Sequence, residues 1–571
     1  CRFAVYARMV RVFVLRVMIF VILLLQPAAS AAEKILALQG GGIRALSSDA
    51  GLIAGVARVS QLSRNGVEKG AFDRLDSVNV TAMLQGFDSV SSVSGSSWFA
   101  AEFFFSSSFV EMLAGIASSP STAAQQFDEQ WIRPWLLATD VQEPRFDSFQ
   151  VLVRLWVKLL LGTGDEDTIF LAQFFLATGF TWNHFVDVLL MSTGGISNST
   201  LMGSPPTPGA HQKWLVDHTV VLPASGACIR QGRLIFPRVT YGAVSNEELP
   251  VYLPAKFSVR LGSGINSSAP FPYISIPEVP IQFKFQGLCI GCGSTSSAPT
   301  YQDTANGTLI SSSGTLPVVQ TVAASSAVFG SAIDSFVFSE IAAEISADVA
   351  VWLGVEGFHA ADELHESVQS HVDGLAMSQL AGTAFHALID GGYTDGTGIA
   401  QAVSSGASEV VVVLNSFSIN QAEYVLQLFP GGPIVKPGVP KELFPVFQSP
   451  NASVIEAAFA EFQTLKLASG SRFLKVLAIG TIEGTTAENK FFGIAGGSRV
   501  TINVINICSE LSIGFFANFD NYGQLVQEVA LTVSDPANRD MVLTKLMPFF
   551  GSTFASFPGT HARPVIQSHF I

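Results

Sequence analysis

The stretch from Lys34 to Ala45 constrains the fold most: an apolar hexapeptide, KILALQ, runs directly into Gly40-Gly41-Gly42 and then Ile43-Arg44-Ala45. A short apolar run closed by glycines reads as a buried strand with a tight exit. Beyond it, from Ala45 to Val59, Leu46, Ile53, Val56 and Val59 recur at near-helical intervals, so strand, glycine turn and helix follow one another. A second strand-like run surrounds Val90 and Val93, and a helix is predicted to begin near Trp98. Alternation of this kind belongs to an α/β layered fold. The expected architecture is a three-layer α/β/α arrangement around a central mixed sheet.

The rest of the chain adds to that frame. Residues 106–200 are rich in Leu, Phe and Trp and read as mostly helical, either a buried helical layer or a cap whose apolar face meets lipid. Residues 203–315 turn to Pro, Gly and Ser with β-type runs at Leu234 to Val244 and Tyr252 to Leu261, a β-rich insertion. Helical patterning returns at Ser335 to Leu353 and Ala376 to Leu388, whereas Glu409 to Leu414 (EVVVVL) and Phe473 to Ile479 (FLKVLAI) read as central buried strands. No internal repeat and no long linker divides residues 32–571, so a single domain is expected.

The N-terminus has its own character. Arg2, Arg8, Arg11 and Arg16 precede an apolar run from Val17 to Leu25 and a small-residue stretch from Ala28 to Ala32, the order of a secretory signal peptide over residues 1–31. An uncleaved anchor is the alternative, because the apolar stretch can be read back to Val12. Secretion or residence in an endomembrane, lysosome-like lumen follows, and the sequons at Asn79, Asn198, Asn266, Asn306 and Asn451 would then be open to glycosylation. In an oxidising compartment Cys228, Cys289, Cys292 and Cys508 would form two disulfides, with three connectivities open. Past residue 31 the chain carries 27 basic against 45 acidic side chains, a balance that repels a nucleic-acid backbone and makes any membrane contact apolar.

Three segments carry residues suited to chemistry. Ser92-Val93-Ser94-Gly95-Ser96-Ser97-Trp98 follows a strand and precedes an apolar helix, the setting of a nucleophile elbow. At such a turn small neighbours expose the serine, and the helix N-terminus favours a developing oxyanion. Ser92 and Ser96 stand where the usual elbow has glycines. Gly40-Gly41-Gly42 offers backbone N–H groups that no side chain blocks, and Arg44 adds a planar cation suited to phosphate. Read alone, Gly40-x-Gly42-x-x-Ala45 also fits a dinucleotide fingerprint, but Gln61 to Gly66 supplies no acid at the distance that motif needs. Asp390-Gly391-Gly392 places a carboxylate in a tight turn at the end of a predicted helix containing His386, where it could act as general base to a serine; Asp395 is a weaker candidate. No metal and no cofactor is expected: the acids near Asp390 lack EF-hand alternation, and Cys289-x-x-Cys292 has no second pair and reads as a disulfide.

Taken in order, QGGGIRA, SVSGSSW and DGG resemble the catalytic domain of the cytosolic phospholipase A and fungal phospholipase B/lysophospholipase group, within the patatin-like lipid acyl hydrolase superfamily. The resemblance covers about twenty residues, spread from Gly40 to Asp390. It implies a Ser–Asp dyad in place of a triad, carried over to Ser94 and Asp390, an oxyanion hole at Gly41 and Gly42, and a phosphate-holding Arg44. It also implies a phospholipid or lysophospholipid substrate at a membrane or lipid-aggregate surface. The absence of a calcium-dependent lipid-binding segment suggests calcium-independent action. A non-catalytic lipid-binding protein on the same scaffold is the rival reading.

Overall fold

The computed structural model describes residues 33–64, 75–134, parts of 186–222, the strand segments 228–230, 233–235, 251–260, 273–276, 285–286, 300–304 and 307–311, and residues 318–326, 351–355, 385–416, 422–433, 444–489, 492–510 and 520–551. The predicted leader, the Cys289–Cys292 pair and residues 135–185 of the expected cap lie outside the described residues.

The elements that position the site are β1 (Glu33–Leu38), α1 (Gly42–Arg64), β2 (Ser89–Ser92), α2 (Gly95–Phe105), α3 (Ser107–Ser118), β3 (Lys213–Leu222), β4 (Val251–Arg260), α4 (Val318–Ser325), β5 (Phe385–Asp390), α5 (Ile399–Ser404), β6 (Ala407–Ser416), β7 (Leu474–Thr486), β8 (Arg499–Ser509) and α6 (Asp520–Ser534). They build a mixed sheet in the order β7-β8-β6-β1-β2-β3-β4. The run β8-β6-β1-β2-β3 is parallel throughout, while β7 and β4 pair antiparallel at its flanks. Short strands at Tyr273–Ile276, Gly307–Ser311 and Thr300–Thr304 continue the sheet beyond β4.

Helices cover both faces, and the strands show why. Side chains alternate across a strand. On β1, Leu36 and Leu38 join the apolar layer of α1, α2, α3 and α6, whereas Ile35 and Ala37 face α5. On β6, Val411 and Val413 take the first side, and Val410, Val412 and Leu414 the second. Such strands must be apolar on both faces, which is the EVVVVL pattern. Within the first layer α1 lies close against α6 because Gly51 and Gly55 present no side chain there. A Cβ on Gly51 would come 2.7 Å from the Val526 carbonyl oxygen, and one on Gly55 2.8 Å from the Val533 Cβ.

Several expectations change. Phe385–Asp390 is a strand, not the end of a helix, and Val351–Val355 is its antiparallel partner, so the helical patterning at 376–388 and 335–353 does not extend into these segments. A periodic apolar run of this length cannot by itself separate a buried strand from a helix, and pairing with neighbouring strands decides it. FLKVLAI is a strand from Leu474, but it stands near the sheet's edge between β8 and the short strand Phe447–Ser449, rather than at its centre. Two disulfides using all four cysteines are also ruled out: Cys508 is a free thiol, buried in β8, where cysteine serves as a small apolar residue. The helical reading after Phe105 holds for α3, which buries Phe109, Met112, Leu113 and Ile116 in the core. Among the described residues no single helix is long and apolar enough to cross a membrane; α2 and α3 pass that test only together, across a 99° bend.

Candidate active site

One strand explains how two residues far apart in sequence meet. The first half of β3 pairs with β2, setting Ser92 opposite Val216, and its second half pairs with β5, setting Asp390 opposite His218. The strand ends that lead to Ser94 and Asp390 thus lie two residues apart along β3. The Ser94 hydroxyl donates to Asp390 Oδ2 at 2.6 Å, and the Gly392 amide donates to Asp390 Oδ1 at 2.8 Å, so both carboxylate oxygens are held.

Ser94 stands in the sharp turn between β2 and α2. Its backbone has φ 54° and ψ −128°, the one positive φ at a non-glycine residue among those described. That conformation costs on the order of 1–3 kcal/mol and persists only where the surroundings enforce it. They do so from both sides. Gly95 packs directly on the Gly42 backbone, and a Cβ on Gly40 would come 2.6 Å from the Ser94 Cβ. From Ser89 to Phe104 every residue is buried except Ser94, so the turn delivers one hydroxyl to the surface of an otherwise closed core.

The serines around it are framework. Ser92 Oγ accepts from Trp214 Nε1 at 2.9 Å and lies 3.0 Å from Ser97 Oγ, so the hydroxyl that replaces the usual glycine is absorbed between β2, α2 and β3. Ser325, at the end of α4, accepts from the Ser94 amide at 3.3 Å and donates to the Asp217 carbonyl at 2.8 Å. Ser326 accepts from Trp98 Nε1 at 2.8 Å. Nothing in the sequence around Ser325 marks it for this part. Asp217, an acid inside the apolar run KWLVDH, was a readable signal, and it accepts from Ser91 Oγ at 2.9 Å.

The glycine loop lies against this turn. Gly40, Gly41 and Gly42 are half-buried between the buried Gln39 and Ile43. Gly41 (φ 145°) and Gly42 (φ 62°) take backbone conformations that favour glycine. Arg44 is buried, its Nη2 donating to the Asn415 carbonyl at 2.8 Å and lying 3.0 Å from where a Gly41 Cβ would be. Burial lowers its pKa to about 10, opposed by Tyr522, Cys508 and Tyr424 nearby, so the guanidinium stays charged at neutral pH. The structure therefore brings Ser94, Asp390 and the loop together, and sets Arg44 under the loop, not out in solvent.

Two other candidates take structural positions. Asp395 accepts from Thr397, Gly398 and Gln401 amides at 3.1, 2.9 and 2.8 Å and fixes the start of α5; burial raises its pKa against those bonds. His386 lies in β5, and His218 is buried with its ring nitrogens 2.8 and 3.0 Å from the Val216 and Thr321 carbonyls, its pKa lowered by burial to about 4. Among the described residues no group of three or more His, Cys, Asp or Glu could hold a metal ion.

No family model matches the chain, and no curated protein matches it either. Among solved structures, human GIVD cytosolic phospholipase A2 aligns with 91% of this chain at 9% identity and a TM-score of 0.36. The chain spans 63% of that protein's length.

Proposed function

We propose that the chain is a serine acyl hydrolase that cleaves fatty-acyl esters of phospholipids or lysophospholipids through a Ser94–Asp390 dyad. The observation that carries this reading is the 2.6 Å hydrogen bond from the only accessible residue of a strained strand-to-helix turn to a buried carboxylate. The motif resemblance adds the substrate class.

In this reading Asp390 accepts the Ser94 proton as Oγ attacks the ester carbonyl, and negative charge moves to the carbonyl oxygen. Neither Gly41 nor Gly42 donates its amide to another group among the described residues, so both are available to that oxygen. Asp390 then returns the proton to the departing alcohol. Water, deprotonated by the same carboxylate, attacks the acyl-serine; the acyl–Oγ bond breaks, the fatty acid leaves, and Asp390 passes the proton back to Ser94 Oγ. A fluorophosphonate probe tests the nucleophile directly, because only an activated serine reacts: wild type is expected to label at Ser94, and absence of labelling would favour the lipid-binding rival.

The Arg44 guanidinium is already engaged beneath the loop, where it donates to the Asn415 carbonyl. Arg44→Ala is expected to lower kcat/KM on a phospholipid by ~10–100-fold more than on a neutral ester of the same acyl chain, the scale of a lost charge-assisted contact. Equal losses on both substrates would make Arg44 a support for Gly41 and Asn415 and remove it from phosphate recognition.

A further inference from the structure

Four buried polar residues lie just below the Ser94 turn, and their hydrogen bonds require one more proton than an ionised site supplies. Ser96, in the first turn of α2, has its Oγ 2.6 Å from Asp49 Oδ2 on α1 and 2.7 Å from the Gln39 carbonyl oxygen, immediately before the glycine loop. Asn415, at the end of β6, directs Nδ2 to the same Gln39 oxygen at 3.0 Å and to Asp49 Oδ1 at 3.3 Å. Each oxygen–oxygen contact of this length needs a hydrogen between its atoms. The Ser96 hydroxyl has one and a carbonyl has none. Ser96 therefore donates to Gln39, and the proton between Ser96 and Asp49 must belong to Asp49.

We propose that Asp49 is a neutral carboxylic acid that donates to Ser96, which donates in turn to Gln39, bracing the glycine loop against the first turn of the elbow helix. Asp49 is then a positioning residue for the acyl-transfer site, and the proposal rests on the dyad reading for that role. If the acid ionises, Ser96 turns its proton to the carboxylate and Gln39 keeps only Asn415. The segment leading into the loop loses its hydrogen bond to α2.

The surroundings favour the neutral acid. Asp49 is 1% exposed, and burial raises its pKa to about 7 despite the Ser96 and Asn415 bonds. The charged or titratable groups on packed elements are committed elsewhere: Arg44 to the Asn415 carbonyl, Arg58 to the Ala117 carbonyl, Glu102 to Thr193, Glu409 to Lys34 and Glu528 to the Leu474 amide, while Tyr522 faces Arg44. None of them contributes to the Asp49 shift. An acid whose folded pKa is raised supports the fold fully below its unfolded value, and that support is lost as pH rises from about 4 through about 7.

Asp49→Asn keeps a donor for Ser96 and an acceptor for Asn415 but cannot ionise. Across that pH window the wild-type folding constant should fall by ~10³-fold relative to the variant in full-length protein, read by denaturant unfolding without substrate. In acyl release, wild type should show a decline of kcat with apparent pKa about 7 that Asp49→Asn lacks. Should Asp49→Asn fail to fold, Ser96→Ala serves: it removes the link, so kcat should drop ~10-fold without that decline. Parallel pH dependences of unfolding in wild type and Asp49→Asn, or a Ser96→Ala profile that keeps the wild-type decline, would overturn the proposal. The unfolding arm needs no turnover, so a failed dyad, seen as absent fluorophosphonate labelling, is told apart from a failed brace.

Discussion

Ser94→Ala is expected to reduce fatty-acid release by at least ~10⁴-fold and to end fluorophosphonate labelling, because without Oγ the acyl group has nothing to bond to. Asp390→Asn should cost about as much, ~10³–10⁴-fold, through a different defect. An asparagine oxygen can still accept from the Gly392 amide, but the group facing Ser94 becomes a donor and no longer draws the hydroxyl proton. Both variants should remain folded, since each keeps the volume of its site nearly intact. Ser94→Gly separates strain from chemistry. It should be as inactive as alanine yet more stable than alanine by about 1 kcal/mol, because glycine accepts φ 54° without the Cβ penalty. Normal turnover by Ser94→Ala would end the nucleophile assignment. Equal stability of the alanine and glycine variants would mean that the turn stores no strain.

These two residues stood out in the sequence for different reasons, and the difference marks what sequence can reveal. Ser94 was legible because a strand-to-helix turn writes itself locally: a β-like run, small residues, then an apolar helix. The strand–glycine–helix unit of β1 and α1 and the doubly apolar β6 were legible on the same grounds. Asp390 is marked by its Gly-Gly turn but not by its setting, because FHALID is a strand only by virtue of pairing with β3 and Val351–Val355. The register of β3 on β2 and β5 brings serine and acid together, and register between segments 124 or more residues apart is not written in either one.

The polar framework was hidden for a related reason. Asp49 sits on a helix whose neighbours are Ser47, Ser48 and Ala50, so in sequence it looks like a solvated position. Only burial on α2 and β6 turns it into an interior acid. Asn415 gave a clearer signal, since it ends a parallel strand, and open α/β sheets gather functional groups at the carboxyl ends of their strands. Cys508 shows the converse. A cysteine count suggests pairing, but Cys508 is a free thiol buried in a strand interior.

Gly95→Ala should be the most damaging substitution that removes no functional group. The added methyl would overlap the Gly42 carbonyl, and its nearest neighbours are backbone atoms at the start of α1, which cannot rotate away as a side chain would. Relief requires the glycine loop to move off the Ser94 turn, carrying the Gly41 and Gly42 amides with it. Displacing such donors costs about 10²–10³-fold in kcat, and the overpacking should cost ~1–3 kcal/mol of stability. Gly115→Ala is the matched control: it lies in α3, where a Cβ would meet only the flexible end of Gln126, and alanine is the better helix former. It should leave turnover unchanged. If Gly95→Ala lost stability but kept kcat, the loop amides would have no part in stabilising the oxyanion, and the dyad would have to work with donors from elsewhere in the turn.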